Sequence, residues 1–194
     1  MQLLVQRHHT IYPKLPPQGV FFEALVEQAF RLSGWSANDV VVTTPNSPQH
    51  DLLVGSVRLS IKSETGKATN RTKINITKLC TTETGDWTAC ALVHHTIAHV
   101  ERHDRMLMVR AIWESAGFGY QLVEIPLPLL KRLRDAKFSQ VGTRTGRRSV
   151  GGDVMIEGER AFHVHFDGAD GKCQIQRLLI RHCDILREWN QPVA

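Results

Sequence analysis

A β-hairpin is the clearest element that the alternation of apolar and polar residues predicts. Two alternating runs, residues 51–54 and 57–64, flank Gly55-Ser56. Glycine in the first place of a two-residue loop suits a type II′ turn. The turn sets a register of four pairs: Val54 with Val57, Leu53 with Arg58, Leu52 with Leu59, and Asp51 with Ser60.

The two faces of this hairpin differ in chemistry, because successive side chains of a strand point to opposite faces. One face is wholly apolar and is formed by Leu52, Val54, Val57, Leu59 and Ile61. The other face carries Asp51, Arg58, Ser60, Lys62 and Glu64, with Leu53 among them. We therefore expect the first face to pack on the core and the second to carry chemistry.

The remaining patterns predict an α/β fold with a single domain, residues 1–194, in which a central mixed β-sheet is flanked by helices. Helical periodicity covers residues 20–33, 86–103 (with Asp86 as N-cap), 127–137 and 182–189. Strands are predicted at 39–43, 73–79, 105–113, 120–125, 153–157, 160–167 and 172–180.

Charge and hydropathy narrow the class of protein. The formal net charge is +5 and the pI is about 9.2, which favours a polyanionic partner. Basic residues concentrate in 131–148, where a single Asp stands among them. No run approaches the roughly 20 apolar residues of a membrane span, and the N-terminus has no signal-peptide pattern. We expect a cytoplasmic protein without membrane contact.

The polar face of the hairpin suits phosphodiester hydrolysis. In the predicted register the Cβ atoms of Asp51 and Ser60 lie about 4.5–5.5 Å apart, and Lys62 is diagonal to Asp51 at about 7–8 Å. Asp51 can bind Mg²⁺ through oxygen, and the metal can activate a water. Lys62 can orient or deprotonate that water and neutralise developing charge.

Asp51, the hairpin and Ser60-Ile61-Lys62 resemble the PD-(D/E)xK nuclease motif in its SxK variant, which occurs in type II restriction endonucleases. The resemblance covers a catalytic core of about residues 20–125 and leaves about 126–194 for DNA contacts and recognition. It implies a restriction endonuclease-like fold and Mg²⁺-dependent (or Mn²⁺-dependent), site-specific cleavage of double-stranded DNA. It also implies a homodimer, because a palindromic site mirrors a two-fold axis, and a cognate methyltransferase in the cell.

Two positions depart from that motif. His50 stands where proline is usual, and Ser60 stands where the second carboxylate is usual. A hydroxyl cannot supply the missing charge, so another acid should complete the metal site. Glu23 on the first predicted helix is the preferred candidate, ahead of Glu64 and then Glu83.

Cations in two regions are candidates for DNA binding. Arg58, Lys67 and Arg71 lie on or after the hairpin and can track the phosphate backbone. Arg144, Arg147 and Arg148 lie in the loop 142–152, where arginines alternate with glycine and hydroxyl residues. Arginine can read guanine bidentately, so this loop can contact base edges as well as phosphates.

Two other functions stay open. One is a repair or junction-resolving nuclease of the same superfamily. The other, from a different class, is a non-catalytic sequence-specific DNA-binding protein, which would need neither metal nor the pair Asp51 and Lys62. That reading leaves the polar stripe of the hairpin unexplained.

Overall fold

A computed structural model of the chain describes residues 1–36, 38–43, 51–81, 86–142 and 147–192. In chain order the elements are α1 (Gln2–Ile11), α2 (Val20–Leu32), β1 (Val40–Val42), β2 (Leu52–Val54), β3 (Val57–Glu64), β4 (Lys73–Thr81), α3 (Ala89–Val100), β5 (Arg105–Glu114), β6 (Gly117–Glu124), α4 (Leu127–Lys131), β7 (Lys137–Val141), β8 (Ser149–Ile156), β9 (Glu159–Phe166), β10 (Lys172–Leu179) and β11 (Asp184–Pro192). Short 3₁₀ turns cover Arg132–Asp135 and Ile180–His182.

The chain divides into two compact units. The first comprises Met1–Arg71, Arg102–Ile125 and Cys183–Ala194, and the second comprises Thr72–Glu101 and Pro126–His182. The predicted core of about 20–125 therefore coincides with the first unit except over 72–101, and the first unit also takes in both ends of the sequence.

A six-stranded mixed sheet forms the first unit, in the order β1-β2-β3-β5-β6-β11. The pair β3–β5 is parallel and its other pairs are antiparallel. Helices α1 and α2 contribute Val5, Phe22 and Val26 to a core shared with the strands. The predicted mixed sheet flanked by helices is confirmed here.

The second unit holds a sheet that the sequence did not predict as separate. It is five-stranded and antiparallel, in the order β4-β10-β9-β8-β7. Helix α3 packs on it, since Cys80 Sγ of β4 lies 3.8 Å from Thr96 Oγ1 and both residues are buried.

Three of the four predicted pairs of the hairpin form, with Leu52 opposite Leu59, Leu53 opposite Arg58 and Val54 opposite Val57. The fourth pair does not continue the ladder, because Asp51 precedes β2 and its N–H bonds the Leu59 carbonyl. Gly55 has a φ of +60°, and Ser56 is not among the non-glycine residues with positive φ. A type II′ turn requires this combination. Leu52, Val54, Leu59 and Ile61 are buried in the core of the first unit, so the prediction of an apolar face is confirmed.

The predicted helix at 182–189 is wrong, because Asp184–Pro192 is strand β11, paired antiparallel with β6. The register shifts between Ile185 and Arg187. An extra residue of this kind interrupts the period of two, so the strand loses its alternation. Of its side chains, Trp189 is buried, and its ring stacks on Tyr120 at 5.3 Å.

Smaller differences concern element boundaries. Helix α3 begins at Ala89 rather than at residue 86, and Thr88 caps it by accepting a hydrogen bond from the Ala91 N–H. The helix predicted at 127–137 is one short helix followed by a 3₁₀ turn, and Lys137 already belongs to β7. The loop predicted at 142–152 gives way to β8 at Ser149, and α1 was not predicted.

Within the described residues, no helix is long and apolar enough to cross a membrane.

Candidate active site

Asp51 is held in place by the hairpin that it precedes. Its backbone N–H donates to the Leu59 carbonyl at 3.0 Å. Its Oδ2 accepts hydrogen bonds from the Ile61 N–H at 2.6 Å and from Ser60 Oγ at 3.2 Å. Among the described residues, Oδ1 has no hydrogen-bond partner, so this oxygen remains available to a ligand.

Lys62 lies beside the same carboxylate, with Nζ 3.7 Å from Asp51 Oδ2. The side chains are only partly covered, 18% exposed for Lys62 and 32% for Asp51. Ser60 is completely buried. Asp51 and Lys62 can therefore meet a substrate, whereas Ser60 acts on Asp51 through its hydroxyl.

Glu23 belongs to this cluster although it comes from α2. Burial raises the pKa of Glu23, the negative charge of Asp51 raises it further, and the positive charge of Lys62 lowers it in part. Two carboxylates and one ammonium thus interact electrostatically in the first unit. Two neighbouring like charges of this kind favour either a proton or a cation between them.

Glu64 shares the strand face of Lys62 but is engaged elsewhere. It stands opposite Arg110 in the parallel register of β3 and β5, and Arg110 Nε donates to Glu64 Oε2 at 2.7 Å. Arg110 also donates to Gln121 Oε1 at 2.6 Å and to the Asn70 carbonyl at 2.7 Å. Arg110 is 0% exposed and Glu64 is 9% exposed, so this is a buried ion pair.

We expect Glu64→Gln to lower the free energy of unfolding as its main effect, and not to act directly on catalysis. The change leaves a buried guanidinium without its counter-charge, which typically costs about 3–5 kcal/mol. Unfolding in denaturant measures this change in the free energy of unfolding. The control is Glu159→Gln, since that exposed carboxylate pairs with exposed Arg181 and its loss should cost less than about 1 kcal/mol. A Glu64→Gln protein of unchanged stability that had lost cleavage would instead place Glu64 in the metal site.

The predicted DNA-contacting cations of the first unit differ in their surroundings. Arg58 donates to both oxygens of Asp104, at 3.0 and 2.7 Å, and these bonds lower the pKa of Asp104 to about 2. Arg71 pairs with Glu114 at 2.5 Å and with Glu188 at 3.4 Å. Lys67 is exposed, with Nζ 5.8 Å from the Trp113 ring centroid.

In the second unit, Arg147 is anchored and Arg148 is exposed. The Arg147 guanidinium lies 4.1 Å from the Trp87 ring centroid, and its Nε donates to the Gly168 carbonyl at 2.9 Å. Trp87 Nε1 donates to the Arg148 carbonyl at 2.7 Å. Of the residues that the structure describes, the side chain of Arg148 contacts Gln140, at 3.4 Å. Arg144, Glu83 and His50 lie outside the described residues.

Arg110, the partner of Glu64, was not predicted from the sequence. A signal was present, because an arginine inside the apolar run 105–113 must find a partner if the strand is buried. Its partner, Glu64, lies on a strand 46 residues away in sequence, so no local pattern could predict the pair.

The oxygen donors of the site fit a magnesium ion. Across the described ranges, no group of three or more His, Cys, Asp or Glu side chains could hold a metal. Mg²⁺ does not need such a group, because it is usually held by one or two carboxylates and keeps waters or substrate phosphates as its other ligands. Asp51 and Glu23 supply two carboxylates.

Known proteins similar to this chain are nucleases. The model of the SmaI family, described as type II site-specific deoxyribonuclease, matches residues 4–191. The type II restriction enzyme SmaI of Serratia marcescens is 31% identical over 148 residues, which are 74% of this chain and 60% of that enzyme. A solved restriction endonuclease in complex with substrate DNA has a TM-score of 0.41 and 19% identity, over 68% of this chain and 60% of the other. That structural likeness is too distant to bear on individual residues.

Proposed function

We propose, because the chain belongs to the SmaI family of type II site-specific deoxyribonucleases, that it cleaves double-stranded DNA at specific sites by metal-dependent phosphodiester hydrolysis. The chain spans 60% of the length of the restriction enzyme that it matches, so the activity of the whole relative enters here as a proposal. The observation that carries the proposal is the cluster of Asp51, Lys62 and Glu23 on the catalytic hairpin and α2.

We interpret the motif as PD-(D/E)xK in its SxK form. Ser60 occupies the position of the second carboxylate, and Glu23 supplies the missing negative charge. The raised pKa of Glu23 and the free Oδ1 of Asp51 support these two carboxylates as the ligands of Mg²⁺. Glu64 is the weaker candidate because its carboxylate faces Arg110. A bound divalent cation would stabilise charge on the phosphate and lower the pKa of water.

The protein groups have separate tasks in this mechanism. Ser60 Oγ and the Ile61 N–H hold Asp51 Oδ2, so the free Oδ1 keeps one orientation. Lys62 orients the attacking water and offsets negative charge as it develops on the scissile phosphate. The apolar face of the hairpin lies in the core, which holds β2 and β3 rigid beneath these groups.

The proposal extends to partners. A homodimer is the simplest assembly for cutting a palindromic site, because its two copies present one active site to each strand. A cognate methyltransferase would protect the same site in the host.

The decisive experiment is digestion of a long unmethylated DNA in Mg²⁺ or Mn²⁺, with and without EDTA. We expect discrete fragments with either metal and intact DNA after chelation. Sequence-specific binding without cleavage under any metal would favour the non-catalytic DNA-binding protein. A random smear would contradict site specificity.

A further inference from the structure

One face of the second unit's sheet carries rows of polar side chains across three adjacent strands. Asp153 of β8, His163 of β9 and Gln176 of β10 are register partners, and so are Gly151, His165 and Gln174. Directly paired residues share a face of the sheet. The residues between them on β9 and β10 point to the other face and are completely buried: Val164, Phe166, Cys173 and Ile175.

The hydrogen bonds within these rows fix the side chains without using all their donors and acceptors. His163 Nδ1 lies 2.7 Å from Asp153 Oδ1, and Gln176 Nε2 donates to Gln174 Oε1 at 3.1 Å. In the part of the chain that the structure describes, no partner is found for His163 Nε2, for either ring nitrogen of His165, or for the amide nitrogen of Gln174. These groups remain free to meet a ligand.

Gly151 makes room for the His163 ring at the centre of the face. A Cβ at this position would lie 3.0 Å from His163 Nε2, so the imidazole extends across the space above the glycine. The face therefore presents amides and imidazoles side by side. Amide side chains of this kind pair bidentately with base edges.

The edge of the same face is basic. Lys137 of β7 stands opposite Asp153 on this face and is exposed. Arg148 is not part of this edge, because its guanidinium bonds Gln140, which pairs with Val150 in the row of the buried face. The one acid of the rows, Asp153, is offset by Arg160 at 3.6 Å and contacts His163. The centre of the face is thus neutral and polar, and cations flank it. This arrangement suits a DNA groove, in which polar base edges lie between two rows of phosphates.

We propose that this polar face is the surface with which the protein reads DNA sequence, with Gln174, Gln176 and His165 contacting base edges and Lys137 contacting a phosphate. The proposal rests on double-stranded DNA being the substrate. It also revises the prediction for the arginine loop, because the Arg147 guanidinium is already held by Trp87 and Gly168.

The test is selection of bound duplexes from a randomised library without divalent cations, so that binding is measured whether or not the DNA is cut. Gln174→Ala, Gln176→Ala and His165→Ala should each relax the preference at one or two base positions by about tenfold or more. Lys137→Ala should weaken binding to all duplexes and lower the salt slope by about one. The matched control is Gln28→Ala, which removes an exposed glutamine of α2 in the first unit.

Two results would overturn the proposal. One is a wild-type base preference retained by all three Gln and His variants. The other is an equal loss of affinity for every duplex, which would assign these side chains to phosphates or to stability. Thermal unfolding of each variant separates the last two. Failure of the wild-type protein to cut DNA in Mg²⁺, with selective binding intact, would reject the nuclease and retain the reading surface.

Discussion

Lys62→Met should reduce DNA cleavage by about 10³-fold or more while leaving the protein folded and able to bind DNA. Methionine matches the apolar stem of lysine as far as Cε but lacks the ammonium, whose Nζ lies 3.7 Å from Asp51 Oδ2. A loss of about 10³ in rate corresponds to ~4 kcal/mol of transition-state stabilisation, a reasonable value for one charged group at a reacting phosphate. Single-turnover cleavage of a duplex at saturating protein measures it.

The control for this variant is Lys67→Met, the same substitution at an exposed lysine just beyond the end of β3. We expect its single-turnover rate to stay close to that of the wild-type protein, with any change confined to DNA affinity. Cleavage by Lys62→Met within about tenfold of wild type would remove Lys62 from the mechanism.

Glu23→Gln should lower cleavage by two to three orders of magnitude and lower the affinity for the metal. Glutamine keeps the shape of the side chain and loses the charge that, with Asp51, would hold the cation, and Mg²⁺ is bound mainly through carboxylates. The rate should rise with metal over a higher concentration range than in the wild-type protein. Without metal, DNA affinity should stay level or increase, because an acid near phosphate is repulsive.

Glu27→Gln is the matched control for Glu23. It lies one helical turn further along α2, and its carboxylate pairs with Arg31. Its metal titration should overlay that of the wild-type protein. If Glu23→Gln cut DNA with an unchanged metal titration, the second acid would have to come from elsewhere, and Glu83 would be the next residue to change.

The β2–β3 hairpin could be predicted from sequence because every cause of its register is local. A glycine-first turn sets which residues pair, and the period of two then places Asp51 beside Ser60 and on the face of Lys62. The structure bears out the three pairs of the ladder and brings Asp51 Oδ2 to Ser60 Oγ. Glu23 interacts electrostatically with Asp51 and Lys62, whereas Glu64 pairs with buried Arg110.

Features that depend on distant parts of the chain could not be predicted. The engagement of Glu64 follows from the parallel pairing of β3 with β5, whose partners are 46 residues apart. The division into two sheets depends on the pairing of β4 with β10, and the polar rows of the second unit appear only once β8, β9 and β10 are in register. Strand β11 was hidden by its register shift.

The late position of β11 in the sequence affects how the first unit can form during synthesis. Its partner strand β6 ends at Glu124, and all of residues 126–182 must be made before Asp184 can pair with it. Ribosomes add about 5–20 residues per second, so for seconds β6 remains an open sheet edge, with Tyr120 not yet covered by Trp189. Open edges recruit strands of other chains, which makes the nascent chain most exposed to misassembly during this interval.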